Sequence, residues 1–351
     1  MKKFLTILTV LLALTIFTAC GGKEEAASDV DTTDDQATSQ GDGSYEEMEL
    51  KVGIVVGDWS PHYEAAKAWA DELEAKTDGK ISLAIFPDGQ VGGEREMMEA
   101  VQNGTLDIGL LSSVVYANFE PKMAVLDIPY LVSTFDEAEA LMDSEVGEKL
   151  NELMLDKGIR NLAWAHNDFR VISNNQKPIE SPDDLAGIKM RVPESKILAD
   201  WFQKQDSLAT PMPFPDIYTA LQQGVVDGQD NGPILTFAAN FYEHQEYLTI
   251  SNHQYSPVGF FISDKVWQTL PENVQDLLAE TALTAAEVEK EAIRNMNDNA
   301  IKSMEESGVE VFYPEEEDLN KFKETTDPLI EQVREIAGDE LTDFVLEKAG
   351  Y

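Results

Sequence analysis

The stretch Leu50-Lys51-Val52-Gly53-Ile54-Val55-Val56-Gly57, "LKVGIVVG", puts Leu50, Val52, Ile54 and Val56 on one side of an extended chain and so reads as a strand. The elements after this strand decide the fold. Ser60-Pro61 is an N-cap with a proline at the first helical position, and the helical pattern runs to about Lys76 before "TDG" stops it. "KISLAIFP" reads as a second strand, "GEREMMEAVQNG" as a helix closed by Gly104, and "TLDIGLLS" as a third strand. This β-α-β-α-β order predicts an α/β fold with a parallel or mostly parallel sheet, and such sheets take ligands beyond the carboxyl ends of their strands.

An echo lies further on. Ala100-Val101-Gln102-Asn103-Gly104-Thr105-Leu106-Asp107 and Ala220-Leu221-Gln222-Gln223-Gly224-Val225-Val226-Asp227 share one form, and Phe-Pro-Asp precedes each, at 86–88 and 214–216. Two α/β lobes of one design would produce it, as would chance similarity of helix-stop chemistry. From Pro271 to about Gly308 no Pro or Gly interrupts a helical pattern, so one helix of roughly 50 Å is expected to run across both lobes.

Before this domain the chain changes character. Lys2 and Lys3 precede an apolar run, Phe4 to Ala19, that is shorter than the ~20 residues of a spanning helix and reads as a signal segment over 1–19. It ends in "FTAC". That ending looks like a lipobox whose Cys20 would carry the lipid, although Phe17 stands where leucine is usual and an ordinary cleavage site fits as well. Residues 20–47, poor in apolar side chains and rich in Gly, Ser, Thr and acids, read as a flexible tether. Two acyl chains on Cys20 would hold the protein to the membrane.

The 351 residues carry 66 acids against 26 basic residues, a formal charge of -40, and losing Lys2 and Lys3 with the signal segment takes this to -42. Nucleic acid and anionic lipid headgroups are poor partners for such a surface. Cys20 is the one cysteine, so no internal disulfide forms and a cysteine hydrolase is excluded. His62, His166, His244 and His253 show no metal-ligand spacing, and no phosphate-binding loop, dinucleotide fingerprint or GxSxG elbow occurs. Neither a metal nor a cofactor is expected.

Arginine is scarce, with six in all, and one sits inside "GIKMRVPES" (187–195). There Ile188, Met190 and Val192 share a face while Lys189 and Arg191 share the other, so Arg191 leaves the core and faces where a cleft could lie. Its planar fork suits a carboxylate, whether from a ligand or from a surface ion pair.

From Lys51 to about Gly308 the chain resembles the solute-binding proteins of TRAP transporters, the DctP type. The resemblance rests on "FPDGQVGGEREMMEAVQNGTLDIG" (86–109), "FRVISNNQKPIESPDDLAGIKMRVPES" (169–195) and "TPMPFPDIYTALQQGVVDGQDN" (210–231). It implies a periplasmic-binding-protein architecture: two α/β lobes joined by crossing strands, with a ligand cleft between them and a long helix across both. Residues 48–168 with 257–296 would form lobe I, and 169–256 with 297–351 lobe II.

By the same resemblance Arg191 matches the arginine that clamps a ligand carboxylate, Arg170 a second arginine that reaches the ligand, and Asn231 an asparagine on the same carboxylate. Phe214 matches an aromatic residue against the ligand body and Glu94 an acid near its polar end, and His253, in "SNH", joins the set. Ser112 stands where sialic-acid-binding members carry a carboxylate, which disfavours that ligand. Asp168 replaces a frequent Gly, and Gly232 a usual Pro.

Read as residues alone, these positions keep ordinary alternatives. Glu94 suits a helix N-terminus, Phe214 a core, Asn231 a turn cap and Arg170 a lobe-to-lobe ion pair. Trp59, Tyr63 and Trp69 fit either cleft or core. The resemblance implies no enzyme but an extracytoplasmic receptor that captures a small organic acid, a sugar acid such as a uronate or a C4-type dicarboxylate. The receptor would hand its ligand to a membrane permease driven by an ion gradient. The competing reading is a secreted acidic glycoside hydrolase or lyase acting on uronates.

Overall fold

The computed structural model describes residues 45–351; the signal segment, Cys20 and most of the tether lie outside the described residues. Nine strands form one sheet: β1 (Met48–Ile54), β2 (Ile81–Phe86), β3 (Ile108–Ser112), β4 (Ile159–Asn174), β5 (Met190–Val192), β6 (Thr210–Pro211), β7 (Gly228–Asn231), β8 (Tyr247–Ser263) and β9 (Glu310–Phe312). Their order is β2-β1-β3-β8-β4-β7-β5-β6, with β9 added on β8.

The sheet is parallel among the outer strands of each half and antiparallel through its middle, where β3, β8, β4 and β7 lie side by side. β1 pairs in parallel with β2 and β3, and β5 with β6 and β7. β4 and β8 pair antiparallel with each other, and likewise β3 with β8 and β4 with β7. The expectation of a mostly parallel sheet therefore holds only for the outer strands of each half. A strand that carries the chain across and another that brings it back must run in opposite directions when they lie side by side.

Residues 159–166 of β4 pair with 257–263 of β8 beside β3, whereas 169–174 pair with 247–255 beside β7. The register slips at three places along this pair, between Asn161 and Trp164, between His166 and Phe169, and between Arg170 and Ile172. Irregularities of this kind bend a strand and re-aim its side chains.

The local chemistry of the first half agrees with the sequence reading. Ser60 caps helix Pro61–Lys76 by accepting from the Tyr63 N–H, and the second helix, Glu94–Asn103, stops at left-handed Gly104. The echo is structural too. Gly104 and Gly224 both take positive φ, and the carboxylates of Asp107 and Asp227 accept the backbone N–H of Lys51 and Lys189 respectively. Each acid thereby ties the start of one strand to its parallel neighbour.

The 35-residue helix Glu272–Glu306 is about 52 Å long and packs on helices Pro61–Lys76 and Pro233–Ala238 and along β4. Thr281, Ala282, Ala285 and Ala286 are buried on it, and their small side chains let the first helix come close enough for Trp69 Nε1 to donate to Thr281 Oγ1 at 2.9 Å. The last two helices, Asp327–Ala337 and Asp339–Ala349, bury Leu329, Val333 and Val345 and pack on segment Pro121–Asp127. The second of them also touches helices Phe135–Met142 and Glu145–Leu155, so the C-terminus sits on elements that the sequence reading assigned to lobe I.

Candidate functional site

A small cavity lies between the two halves, walled by Val55, Val56, Leu110 and Ser112 from one and by Arg170, Arg191, Phe214 and Asn231 from the other. Ser112 and Asn231 are the last residues of β3 and β7, and Arg191 lies in β5. The cavity therefore opens at the carboxyl ends of parallel strands, as the α/β pattern predicts.

Arg191 is 3% exposed, and among the described residues no carboxylate comes within ion-pair distance of it. Its Nε donates to the Met212 carbonyl at 2.9 Å and its Nη1 reaches the Asp230 carbonyl at 3.4 Å, which hold the fork in place without neutralising it. Burial works against its charged form, and the nearby charge of Asp230 favours it.

Arg170 differs in this respect. Its Nε donates to Asp230 Oδ2 at 2.7 Å and its Nη2 to the Asp230 carbonyl at 2.5 Å. Both residues belong to adjacent strands of one half, β4 and β7, so the pair is not the lobe-to-lobe bridge that the residue types allowed. Burial would raise the Asp230 carboxyl, but Arg170 and the hydrogen bond from His253 outweigh it and hold it below the usual carboxylate range. His253 is fully buried, stacked on Trp201 with ring centroids 4.6 Å apart, and bonded to Ser251 Oγ and Asp230. It backs Asp230 and does not line the cavity.

Asn231 is 2% exposed and its Nδ2 has no hydrogen-bond partner among the described residues, so this buried donor faces the cavity unused. Phe214 is half-buried, with one side on Phe241 at 5.3 Å and the other on the cavity.

Glu94, the first residue of its helix, also lines the cavity, and its Oε1 accepts the Ser112 N–H at 2.7 Å. Burial pushes its carboxyl up, while the Ser112 bond and the charges of His62 and Arg191 pull it back. Next to it His62 Nε2 meets Asn167 Oδ1 at 2.9 Å, and His62 Nδ1 bonds Glu289, a fully buried residue of the long helix. Burial disfavours the charged ring, yet Glu289 outweighs it and raises His62 above its ordinary value.

Six of the seven residues expected at the site thus line one cavity, and His253 stands behind it. The sequence reading missed Asp230, His62, Asn167 and Glu289. Asp230 lies directly before Asn231, but nothing in the sequence near it marks Arg170 as its partner. Trp69 belongs to the core, while Trp59 and Tyr63 pack partly buried against it and leave this cavity to others.

Residues 52–336 match the family described as bacterial extracellular solute-binding protein, family 7, DctP. The 2,3-diketo-L-gulonate-binding periplasmic protein YiaO of Escherichia coli is 30% identical over 82% of this chain and 86% of its own length. The crystal structure of the sugar acid binding protein DctPAm from Advenella mimigardefordensis, in complex with galactonate, aligns with a TM-score of 0.85 at 30% identity, covering 87% of this chain and 99% of that one. A TRAP periplasmic solute binding protein from Sulfurospirillum deleyianum with bound succinate aligns with a TM-score of 0.82 at 28% identity, covering 86% and 98%. These relatives are binding proteins and not enzymes, and none supports the hydrolase or lyase alternative. On the match over 52–336 and the shared two-lobe architecture, the chain belongs to the DctP-type extracellular solute-binding proteins of TRAP transporters.

Proposed function

We propose that this receptor captures a small organic acid by its carboxylate in the cavity between its halves and delivers it to an ion-gradient-driven TRAP permease. The reading is carried by one observation, a buried Arg191 with no carboxylate among the described residues to pair it. A guanidinium taken out of water is costly until an anion meets it, and its fork accepts a carboxylate through two parallel bonds. Arg170, with Nη1 left over from its pairing to Asp230, and the unpartnered Nδ2 of Asn231 complete the anion site. Glu94, Ser112 and Phe214 would meet the ligand body.

The lobes would meet near residues 168–169 and 256–257, a boundary supported by the change of neighbour along the β4–β8 pair, from β3 at 258–262 to β7 at 171–174. Closure there excludes water and strengthens the arginine pairing, and the ligand need only bind the closed form better than the open one. Family membership puts the protein outside the cytoplasm, and lipid on Cys20 would tether it to the membrane.

The test is calorimetry with galactonate and succinate on wild type and Arg191→Ala. The substitution is expected to cost about 2–5 kcal/mol of affinity for whichever acid binds. An unchanged Kd would overturn the assignment.

A further inference from the structure

The internal echo in the sequence has a counterpart in space. The two Phe-Pro-Asp segments, 86–88 at the end of β2 and 214–216 after β6, belong to opposite halves, and the loops that carry them touch. A Cβ built on Gly89 would lie 3.0 Å from Cγ of Pro215, and one built on Gly93 would lie 3.2 Å from Cβ of Pro213. A hydrogen bond from Asn118 Nδ2 to the Glu194 carbonyl, at 2.9 Å, and the approach of Arg95 to the Glu194 carboxylate, at 4.0 Å, join the same two halves.

Gly93 is the informative member of this set. Gly89 has φ +63, a backbone state that favours glycine whatever lies opposite. Gly93 has φ -74 and ψ 175, which any residue adopts, and serine or aspartate would cap the helix Glu94–Asn103 from that position at least as well. A side chain there would meet Glu96 Oε2 at 2.8 Å and the ring of Pro213. The Glu96 carboxylate is the tip of an exposed, flexible side chain and can swing aside, whereas the proline ring is fixed to its backbone.

Both contact residues adjoin groups that build the site. Gly93 directly precedes Glu94, and Pro213 lies between Met212, whose carbonyl accepts Arg191 Nε at 2.9 Å, and Phe214. The contact therefore sets how near the wall that carries Glu94 can come to the wall that carries Arg191.

We infer that the Gly93–Pro213 contact is the stop that fixes the spacing of the two cavity walls around a captured acid, and that Gly93 is a positioning residue acting through closure. The inference rests on the capture reading above. Gly93 itself does not line the cavity. A methyl group at 93 demands that Pro213 give way by a few tenths of an ångström, which holds the halves apart. Hydrogen bonds to a carboxylate weaken with such displacement, and the share of molecules able to close around the ligand falls.

The test is calorimetry with an organic-acid panel that includes galactonate, succinate and glucuronate, on wild type, Gly93→Ala, Gly93→Ser, and both changes in a Pro213→Gly background. Each single change at 93 is expected to weaken binding about tenfold for whichever acid the wild type holds, with the ligand-free melting temperature near wild type. In the Pro213→Gly background the same changes should cost less than about twofold. Gly93→Ser supplies a better helix cap and the same Cβ, so affinity that alanine loses and serine restores would trace the effect to capping and overturn the inference. Equal losses with and without the proline overturn it too, as does a harmless Gly93→Ala. If Gly93→Ala does not fold, Gly93→Ser carries the comparison. Absence of wild-type binding across the whole panel overturns the stop together with the capture reading, whereas the other outcomes leave the receptor standing.

Discussion

A Cβ placed on Gly232 would lie 2.6 Å from the Cβ of Asp168 and 2.8 Å from its Oδ2, so the side chains of the two positions would share one space. Asp168 holds φ +94, a backbone state that favours glycine, and its Oδ1 accepts from Phe169 N–H and from Asn297 Nδ2 on the long helix. The acid thus fills the volume that a side chain at 232 would need, and links the strand crossing to the helix that spans it.

Gly232→Ala is therefore expected to destabilise the protein by about 1–3 kcal/mol through overpacking. In an Asp168→Gly background the same change should be nearly neutral. Urea denaturation of the four proteins in a double-mutant cycle checks this, and additive effects would show that the two positions are independent.

Arg170 and Arg191 should respond in opposite ways. Arg170→Ala strands a fully buried Asp230 and is expected to cost about 3–5 kcal/mol of folding stability. Arg191→Ala removes a cation that no carboxylate among the described residues matches, and should leave the melting temperature of the ligand-free protein near wild type. Thermal unfolding without ligand decides it, and equal losses for both would contradict the division of roles.

Asp127 is 1% exposed; it accepts from Ser195 Oγ at 2.7 Å, and its other carboxylate oxygen has no partner among the described residues. Burial, opposed by the Ser195 bond, pushes its carboxyl up to about 7. A carboxyl raised on folding holds its proton in the native state after the unfolded chain has released it. It therefore takes stability away as pH rises from about 4 to about 7. Asp127→Asn should flatten that part of the profile and raise the melting temperature at pH 8 relative to pH 5, compared with wild type. A wild-type slope in the variant refutes it.

Cys20→Ser should release the protein from the membrane fraction into the surrounding medium or periplasm. Immunoblots of fractionated cells report it, and retention with membranes would contradict the lipid tether.

The features legible in the sequence were those set by near neighbours. Ser60 before Pro61, Gly104 after a helical run, and the alternation around Arg191 act over a few residues, and they placed elements and cavity-facing side chains correctly. His62 and Glu289 lie 227 residues apart, and nothing near either one announces the other. Asp230 was invisible for a related reason: its neighbour Arg170 meets it only because β4 and β7 pair antiparallel. That pairing was the part of the sheet which the β-α-β pattern did not anticipate. His253 looked like a ligand residue because its sequence context is family-like, yet depth behind Asp230 is a property of the folded sheet alone.

β4 and β8, of 16 and 17 residues, each contribute backbone to both halves of the molecule. Neither half is a cassette that could be cut out or traded for another. A break between them would leave two fragments with raw ladders of unbonded amides, open to pairing with any passing strand. New specificities in such a scaffold must arise by altering side chains around the shared pocket, because recombination of whole lobes would sever the strands that make each of them fold.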